Sequence, residues 1–89
     1  MSAIWKYTLN DVDQSVIMPK GAKVLEVATQ GGNPTLWALV DPNADLVKRQ
    51  FAVVGTGHPA DGLDVDAYLG TCHNVANLGL VMHVFEVTS

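Results

Sequence analysis

Residues 36–51 read LWALVDPNADLVKRQF, and this stretch decides the fold. Two apolar segments flank the cluster Asp41-Pro42-Asn43-Ala44-Asp45, in which the proline presets φ for a turn and the asparagine tolerates the left-handed region. The two segments are therefore predicted to be strands of one hairpin. If Asp41 faces Asp45, Trp37 lies opposite Arg49. The two side chains then form a cation–π pair, or Trp37 is a core residue whose edge Arg49 covers.

The same pattern continues in both directions along the chain. Short segments rich in Val, Ile, Thr and aromatic residues alternate with turn-forming clusters. A single helical turn fits within residues 60–68, and no longer segment has helical spacing. The predicted strands are residues 4–9, 15–18, 23–30, 36–41, 46–55, 68–72 and 80–87. We therefore predict one all-β domain over residues 1–89, a small antiparallel sandwich or partly open barrel of about seven short strands.

The composition indicates self-association. Hydrophobic residues make up 48% of the 89 residues and charged residues 16%, whereas a typical soluble domain has about 25% charged residues. A chain this short buries a limited share of its surface. Because exposed apolar surface is costly in water, we expect a homo-oligomer that covers part of it.

Charge and cysteine content limit the possible partners. Nine acidic and five basic residues give a net charge of −4. The cations are scattered, so neither duplex nucleic acid nor a membrane surface is an expected partner. No segment has the length of a signal peptide or a transmembrane span. Cys72 has no second cysteine to pair with, which favours a reducing cytoplasm.

Gly55-Thr56-Gly57-His58, at the start of the longest loop, is the strongest candidate for a binding site. The two glycines permit close backbone approach, and successive N–H groups in such a turn form an anion-binding nest. The alternative is a glycine-rich strand exit without a ligand. A small anionic ligand here would also use cations and a flat aromatic face, completed by a second subunit. The candidates for these roles are Lys48 and Arg49, and Trp37, Trp5 and Tyr7.

A second predicted hairpin contains two histidines, and its register is open. In one register His73 lies opposite His83. In the other, Val75 faces Leu80 and His73 lies opposite Met82. A shift of one residue decides between them, because side chains alternate between the two faces of a strand.

Catalysis and metal binding are less favoured interpretations. His73 and His83 on adjacent strands, with Cys72 nearby, resemble zinc ligands, but Cys72 and His73 point to opposite faces. Histidines hydrogen-bonded within the sheet are the favoured interpretation, so no metal or other cofactor is predicted. No nucleophile has an evident base and orienting partner. We therefore predict no catalytic residues and do not expect an enzyme.

Five segments also carry a resemblance to known proteins. They are residues 4–7 (IWKY), 18–25 (MPKGAKVL), 36–41 (LWALVD), 55–58 (GTGH) and 81–86 (VMHVFE). Together they resemble a family of short, uncharacterised proteins encoded by tailed bacteriophages and prophages. The resemblance brings no known site residues. It implies a viral origin, a setting in the host cytoplasm and an accessory role.

The functional hypothesis combines this resemblance with the loop. We expect a non-enzymatic phage accessory protein that binds and sequesters a small anionic ligand, a nucleotide signal of host immunity, and so acts as an anti-defence sponge. The support is likeness of class in size, oligomerisation and the lack of a catalytic set. The alternative is a protein-binding or virion-assembly module. A third hypothesis is a small metal-binding protein that uses His73 and His83.

Overall fold

A computed structural model describes residues 1–87 of the chain. This part contains a 3₁₀ turn at Val65–Ala67 and seven strands: β1 (Ala3–Thr8), β2 (Asp13–Pro19), β3 (Lys23–Gln30), β4 (Asn33–Val40), β5 (Leu46–Gly55), β6 (Tyr68–Val75) and β7 (Leu80–Val87). The predicted all-β class, the positions of the strands and the single helical turn are confirmed. None of the helical structure in residues 1–87 is long and apolar enough to cross a membrane.

The strands form two antiparallel sheets packed face to face. One has the order β1-β4-β3 and the other the order β2-β5-β7-β6. Side chains alternate between the two faces of each strand, and the inner faces meet in a core around Leu36, Phe51 and Val84, which are fully buried. The predicted sandwich is therefore confirmed.

The sheets approach each other at the β3 and β6 edges. The Thr29 hydroxyl donates to the His73 carbonyl oxygen at 2.6 Å, and the Ala76 N–H donates to the Gly32 carbonyl oxygen at 2.7 Å. At the opposite side, β1 pairs with β4 and β2 pairs with β5. The sheets of residues 1–87 therefore do not close into a barrel.

The predicted hairpin of residues 36–51 is wrong, although its turn forms. The Asn43 N–H donates to the Asp41 carboxylate and the Ala44 N–H to the Asp41 carbonyl, both at 3.0 Å. However, the turn carries the chain from one sheet to the other, so β4 and β5 do not pair. Trp37 faces Lys6 and Glu26 instead of Arg49, which rules out the predicted cation–π pair. The residues of a turn predict that the chain reverses its direction. They do not predict whether the two flanking strands pair in the same sheet.

The second predicted hairpin forms with an irregular register. Val75 lies opposite Leu80, as one of the two predicted registers required. A β-bulge between Cys72 and Val75 then shifts the pairing, so that Met82 lies opposite Cys72 and His83 opposite Thr71. His73 therefore faces neither of its two predicted partners. Bulges of this kind insert a residue that the alternation of side chains does not reveal.

Because a small domain cannot leave its large side chains in water, the alternating apolar positions of the strands predict a core. This core consists of Trp5, Tyr7, Leu25, Val27, Leu39, Phe51, Val53, Val84 and Phe85. The prediction is partly confirmed. Val27, Phe51, Val53 and Val84 are buried, and Tyr7 and Phe85 are partly buried. Three other large side chains expected in the core are exposed: Trp5, Leu25 and Leu39. Leu39 lies on the outer face of β4, Leu25 lies at a bulge of β3, and Trp5 lies on the edge strand β1.

Candidate ligand-binding site

The loop after β5 turns back over the end of the sheet. The Thr56 N–H donates to the Val81 carbonyl at 3.1 Å, and the His58 N–H donates to the Gly55 carbonyl at 3.0 Å. Gly57 lies between them with φ of +87°, and a Cβ there would meet no heavy atom within 4 Å. Glycine fits this position because other residues rarely adopt positive φ. The loop therefore stands at the strand end with open space beside Gly57.

Below this loop, His83 is held by a threonine on each side. Its Nε2 atom lies 2.7 Å from the Thr56 hydroxyl oxygen, and its Nδ1 atom lies 3.0 Å from the Thr71 hydroxyl oxygen. Strand pairing explains this arrangement, because His83 lies opposite Val54 on β5 and opposite Thr71 on β6. Both imidazole nitrogens therefore have protein partners.

The hydrogen bonds around His83 fix the orientation of its ring. The Thr56 hydroxyl oxygen lies 2.7 Å from Nε2 and 3.5 Å from the Val81 carbonyl oxygen. The Thr71 hydroxyl oxygen lies 3.0 Å from Nδ1 and is also bonded to the Tyr68 hydroxyl. A hydroxyl group both donates and accepts, so this network satisfies either neutral tautomer of His83.

Two aromatic rings lie beside this network. The ring centroids of Tyr68 and Phe85 are 5.5 Å apart at an interplanar angle of 63°, an edge-to-face geometry that aromatic pairs favour. Tyr68 lies opposite Phe85 across β6 and β7, and 46% of the Tyr68 surface is exposed. The Tyr68 ring is therefore supported by Phe85 and partly open to solvent.

The loop, the network and the aromatic pair surround one cleft, here called the His83 cleft, with a volume of about 260 Å³. It is lined by Val54, Gly55, Thr56, Gly57, His58, Ala60, Tyr68, His83 and Phe85. A larger groove of about 560 Å³ adjoins it, shares Gly55, His58 and Ala60, and continues along the loop to Asp61 and Leu63. The cleft therefore opens into a longer groove on the same side of the loop.

The structure brings together four of the predicted site residues and separates the other five. Gly55, Thr56, Gly57 and His58 all line the His83 cleft. Lys48 lies seven residues from Gly55 along β5, or about 23 Å at the usual rise of a strand. Trp37, Trp5 and Tyr7 belong to the other sheet. None of these four distant residues lines the cleft.

Arg49, the second predicted cation, is occupied within the protein. Its guanidinium donates to both carboxylate oxygens of Glu86 and to the Ala22 carbonyl. It also lies 5.9 Å from the centroid of the Phe51 ring. These contacts give Arg49 a structural role on the inner side of β5.

Most N–H groups of the anion-binding nest predicted for the loop are already hydrogen-bonded within the protein. The N–H groups of Thr56 and His58 already donate to carbonyl oxygens. Among residues 1–87, the Gly57 N–H has no acceptor within hydrogen-bonding distance. One free N–H group and the His58 side chain therefore remain at the rim for an anionic group.

Cys72 and His73 are separated by the faces of β6. Cys72 is buried, and its burial raises the pKa of the thiol despite opposing hydrogen bonds from Thr35 and Thr29. His73 is exposed, while both nitrogens of His83 are bonded to threonines. Within residues 1–87 no three His, Cys, Asp or Glu side chains lie close enough together to hold a metal ion.

The residues that complete the cleft were not found from the sequence. Tyr68, Thr71 and Phe85 were not predicted as site residues, and His83 was predicted to be hydrogen-bonded within the sheet, with metal binding as the less favoured alternative. Their position depends on the pairing of β5 with β7, which joins strands about 25 residues apart in the chain. The only local signal for the cleft was the presence of Tyr68 and Phe85 in strands that also carry a hydroxyl group, at Thr71, and an imidazole group, at His83.

The chain matches, over residues 1–89, the family described as "Domain of unknown function (DUF7352)". It belongs to this family. Comparison with curated proteins found no match, and comparison with solved structures found none. That the chain belongs to a family of uncharacterised domains is thus confirmed. Membership of the DUF7352 family assigns no residue a role.

Proposed function

We propose that this protein is a non-enzymatic binding protein of bacteriophage origin that holds the ring of a small nucleotide signal in the His83 cleft and sequesters it in the host cytoplasm. The observation that carries the proposal is that Gly55–His58 and the Tyr68–Phe85 pair line one cleft. A base needs a flat apolar face, and an adjoining phosphate needs donors that it can approach closely. The resemblance to phage proteins supports the viral origin.

The size of the cleft favours one ring at a time. Its volume of about 260 Å³ lies just below the range of about 300–1,000 Å³ of complete small-molecule pockets. A ring placed against Tyr68 and Phe85 would fill it, and the sugar would extend toward the adjoining groove of about 560 Å³, with the phosphate at the rim of the cleft. A nucleotide has this shape, with a compact ring and a longer polar part.

The charge around the cleft restricts where an anionic group would lie. The Gly57 N–H and the His58 side chain stand at the rim of the cleft, whereas Asp61 lines the adjoining groove. A phosphate is repelled by a carboxylate and attracted by N–H donors. The phosphate is therefore proposed to lie at Gly57.

The hydrogen bonding of His83 supports binding over catalysis. A histidine that acts as a general base on a hydroxyl nucleophile is oriented through its other ring nitrogen, commonly by a carboxylate. Both nitrogens of His83 are bonded to threonine hydroxyls, and the buried Cys72 does not line the cleft. The network is suited to holding the aromatic floor rigid, which lowers the entropic cost of binding.

A protein-binding or virion-assembly module is the second candidate. It is favoured by apolar side chains on the outer face of the β1-β4-β3 sheet, where Ile4 and Leu39 are 62% and 40% exposed. Exposed apolar patches of this kind commonly mark interaction surfaces.

A thermal-shift screen tests the proposed function. The panel consists of cyclic dinucleotides, ADP-ribose derivatives, mononucleotides and free bases. A ligand present at a hundred times its Kd adds about 2.7 kcal/mol to the free energy of unfolding. The amides of Gly57, Tyr68 and His83 are then expected to shift in NMR titrations with that ligand. A panel without any binder, or shifts confined to another surface, would overturn the proposal.

Two matched substitutions control for damage to the fold. Gly57→Val and Gly21→Val both place a β-branched residue at positive φ, +87° and +82°, with no heavy atom within 4 Å of the new Cβ. Both carry similar backbone strain, but only the first places methyl groups at the cleft. Gly57→Val is expected to lose binding and Gly21→Val to keep it, as measured by titration calorimetry. Equal binding by both folded variants would move the site away from the loop.

A further inference from the structure

The outer face of the β1-β4-β3 sheet has an unusual composition for a solvent-exposed surface. This face, here called the β4 face, has an apolar centre in Trp37 and Leu39 of the middle strand. Leu39 lies beside Ile4 of β1, and 62% of Ile4 is exposed. Apolar residues in the middle of a sheet face, rather than scattered singly, are typical of an interaction surface.

Charged residues surround this apolar centre in two cross-strand rows. One row contains Ile4, Leu39 and Lys23, and the next contains Lys6, Trp37 and Glu26. Within residues 1–87 neither Lys23 nor Glu26 takes part in a salt bridge. The two rows therefore present opposite unpaired charges at their β3 ends and apolar groups at their centres.

Lys6, at the β1 end of the second row, presents mainly its aliphatic stem. Its amino group donates to Gln30 Oε1 at 2.7 Å, so the side chain extends along the face toward Gln30. The methylene groups of a lysine held in this way add to the apolar surface. The face therefore provides apolar contact, the unpaired charges of Lys23 and Glu26, and the ammonium group of Lys6 held at Gln30.

We infer that a second copy of this chain packs on the β4 face about a two-fold axis that runs across the strands, midway between the two rows. This axis places each row of one copy over the other row of the second copy. Leu39 then packs on the second copy's Trp37, Ile4 packs on the stem of its Lys6, and Lys23 pairs with its Glu26. Two-fold symmetry repeats each contact, so the face is complementary to itself in both shape and charge.

The size of the face predicts a weak dimer. Strands β1, β4 and β3 form a face of about 14 Å by 26 Å at the usual strand spacing and rise. This is about 360 Å² per copy, below the range of stable interfaces and typical of weak, transient contacts. We therefore expect reversible dimerisation at micromolar concentrations. This inference concerns a surface on the sheet opposite to the His83 cleft and does not depend on the proposed ligand.

A charge-reversal experiment tests the inference. Sedimentation over a concentration series is expected to show the wild-type mass rising from the 9.5 kDa of one chain to twice that value. Lys23→Glu and Glu26→Lys alone each place like charges opposite each other and are expected to raise the dimer dissociation constant at least tenfold. In a mixture of the two variants, one chain is acidic at both positions and the other is basic at both. Opposite charges then meet in both contacts of the mixed dimer, so the mixture is expected to dimerise again.

Two leucine substitutions test whether dimerisation depends on this face or on the loss of any exposed apolar side chain. Leu39→Lys places a charge at the centre of the face and is expected to give a monomer. Leu46→Lys changes a residue that is 65% exposed on the other sheet and is expected to leave the dimer intact. A wild-type monomer at all concentrations, or a charge-reversal mixture that stays monomeric, would overturn the inference. The face would then be assigned to a different partner protein.

Discussion

Arg49 and Glu86 form a bidentate ion pair on the inner side of the four-stranded sheet. Arg49 Nε lies 2.6 Å from Glu86 Oε2, and Nη2 lies 2.7 Å from Oε1. A third hydrogen bond joins Nη1 to the Ala22 carbonyl at 2.5 Å. The two side chains are only 21% and 20% exposed. Removing either one would therefore leave the charge of the other partly buried without a partner. The pair ties β5 to β7 and to the turn before β3.

Arg49→Gln is expected to lower the free energy of unfolding by about 1–3 kcal/mol, because it leaves the Glu86 carboxylate partly buried without its cation. Lys48→Gln is the matched control, since Lys48 is exposed on the outer face of the same strand. Its effect is expected to stay within about 0.5 kcal/mol. Urea unfolding of both variants measures the difference. Equal stability of the two would contradict the structural role of Arg49.

Tyr7→Phe is expected to leave stability unchanged or to raise it by up to about 1 kcal/mol, because an unsatisfied buried polar group is costly. The Tyr7 hydroxyl is buried and has no hydrogen-bond partner among residues 1–87. Tyr68→Phe is the control, because the Tyr68 hydroxyl is bonded to Thr71. Its removal is expected to destabilise the fold. Thermal unfolding at pH 7 compares the two variants.

Tyr7 also predicts a dependence of stability on alkaline pH. Burial raises the pKa of Tyr7 above its usual 10.0, and the nearby Arg49 opposes this shift only partly. The folded state then holds the proton more tightly than the unfolded state. The resulting stability is complete below about pH 10 and is lost as the pH rises through the folded-state pKa. The wild type is expected to lose more stability than Tyr7→Phe above about pH 10, and parallel unfolding curves would contradict this.

Phe51→Ala is expected to cost about 3–5 kcal/mol, because Phe51 is fully buried and its removal leaves a cavity. Phe85→Ala is expected to cost less, since Phe85 is only partly buried and packs edge-to-face on Tyr68 at the surface. Chemical unfolding of both variants measures the difference. A larger loss for Phe85→Ala would mean that the outer face is the more tightly packed one.

Gly70→Ala is expected to destabilise the sandwich by about 1–3 kcal/mol through overpacking. A Cβ at this position would lie 2.9 Å from the Cβ of Val27 on the facing sheet. Combining it with Val27→Gly removes the Val27 Cβ that the new methyl group would meet at 2.9 Å. The double variant is therefore expected to be more stable than the sum of the single effects predicts, as a double-mutant cycle shows. Simple additivity would mean that the two residues are not in contact.

The strands could be predicted from the sequence because their signals are local. Residues 23–30, 46–55 and 80–87 form strands with the predicted bounds, since β-branched and aromatic residues end at turn-forming clusters. The pairing of those strands could not be predicted from the same local signals. The Asp41–Asp45 turn forms as expected but joins two sheets, because the partner of β4 is supplied by β1 and β3, which are distant in the chain.

The candidate site shows the same division. The loop Gly55–His58 was predictable from its two glycines and polar side chains, and it lines the cleft. The aromatic partners chosen for it were wrong in position, since Trp5, Trp37 and Tyr7 belong to the other sheet. Tyr68 and Phe85 lie at the cleft only because β5 pairs with β7 and β7 with β6.

By itself, the sequence determined an all-β domain with seven strands in residues 1–87, the places where the chain turns, and a glycine-rich loop able to approach a ligand. These properties follow from backbone preferences of individual residues, which act over a few positions. Only the tertiary structure decided the two sheets, the bulge that brings Thr71 opposite His83, and the charges that flank Trp37 on the β4 face. Those features depend on contacts between distant segments, where burial of the whole core outweighs the preference of any single turn.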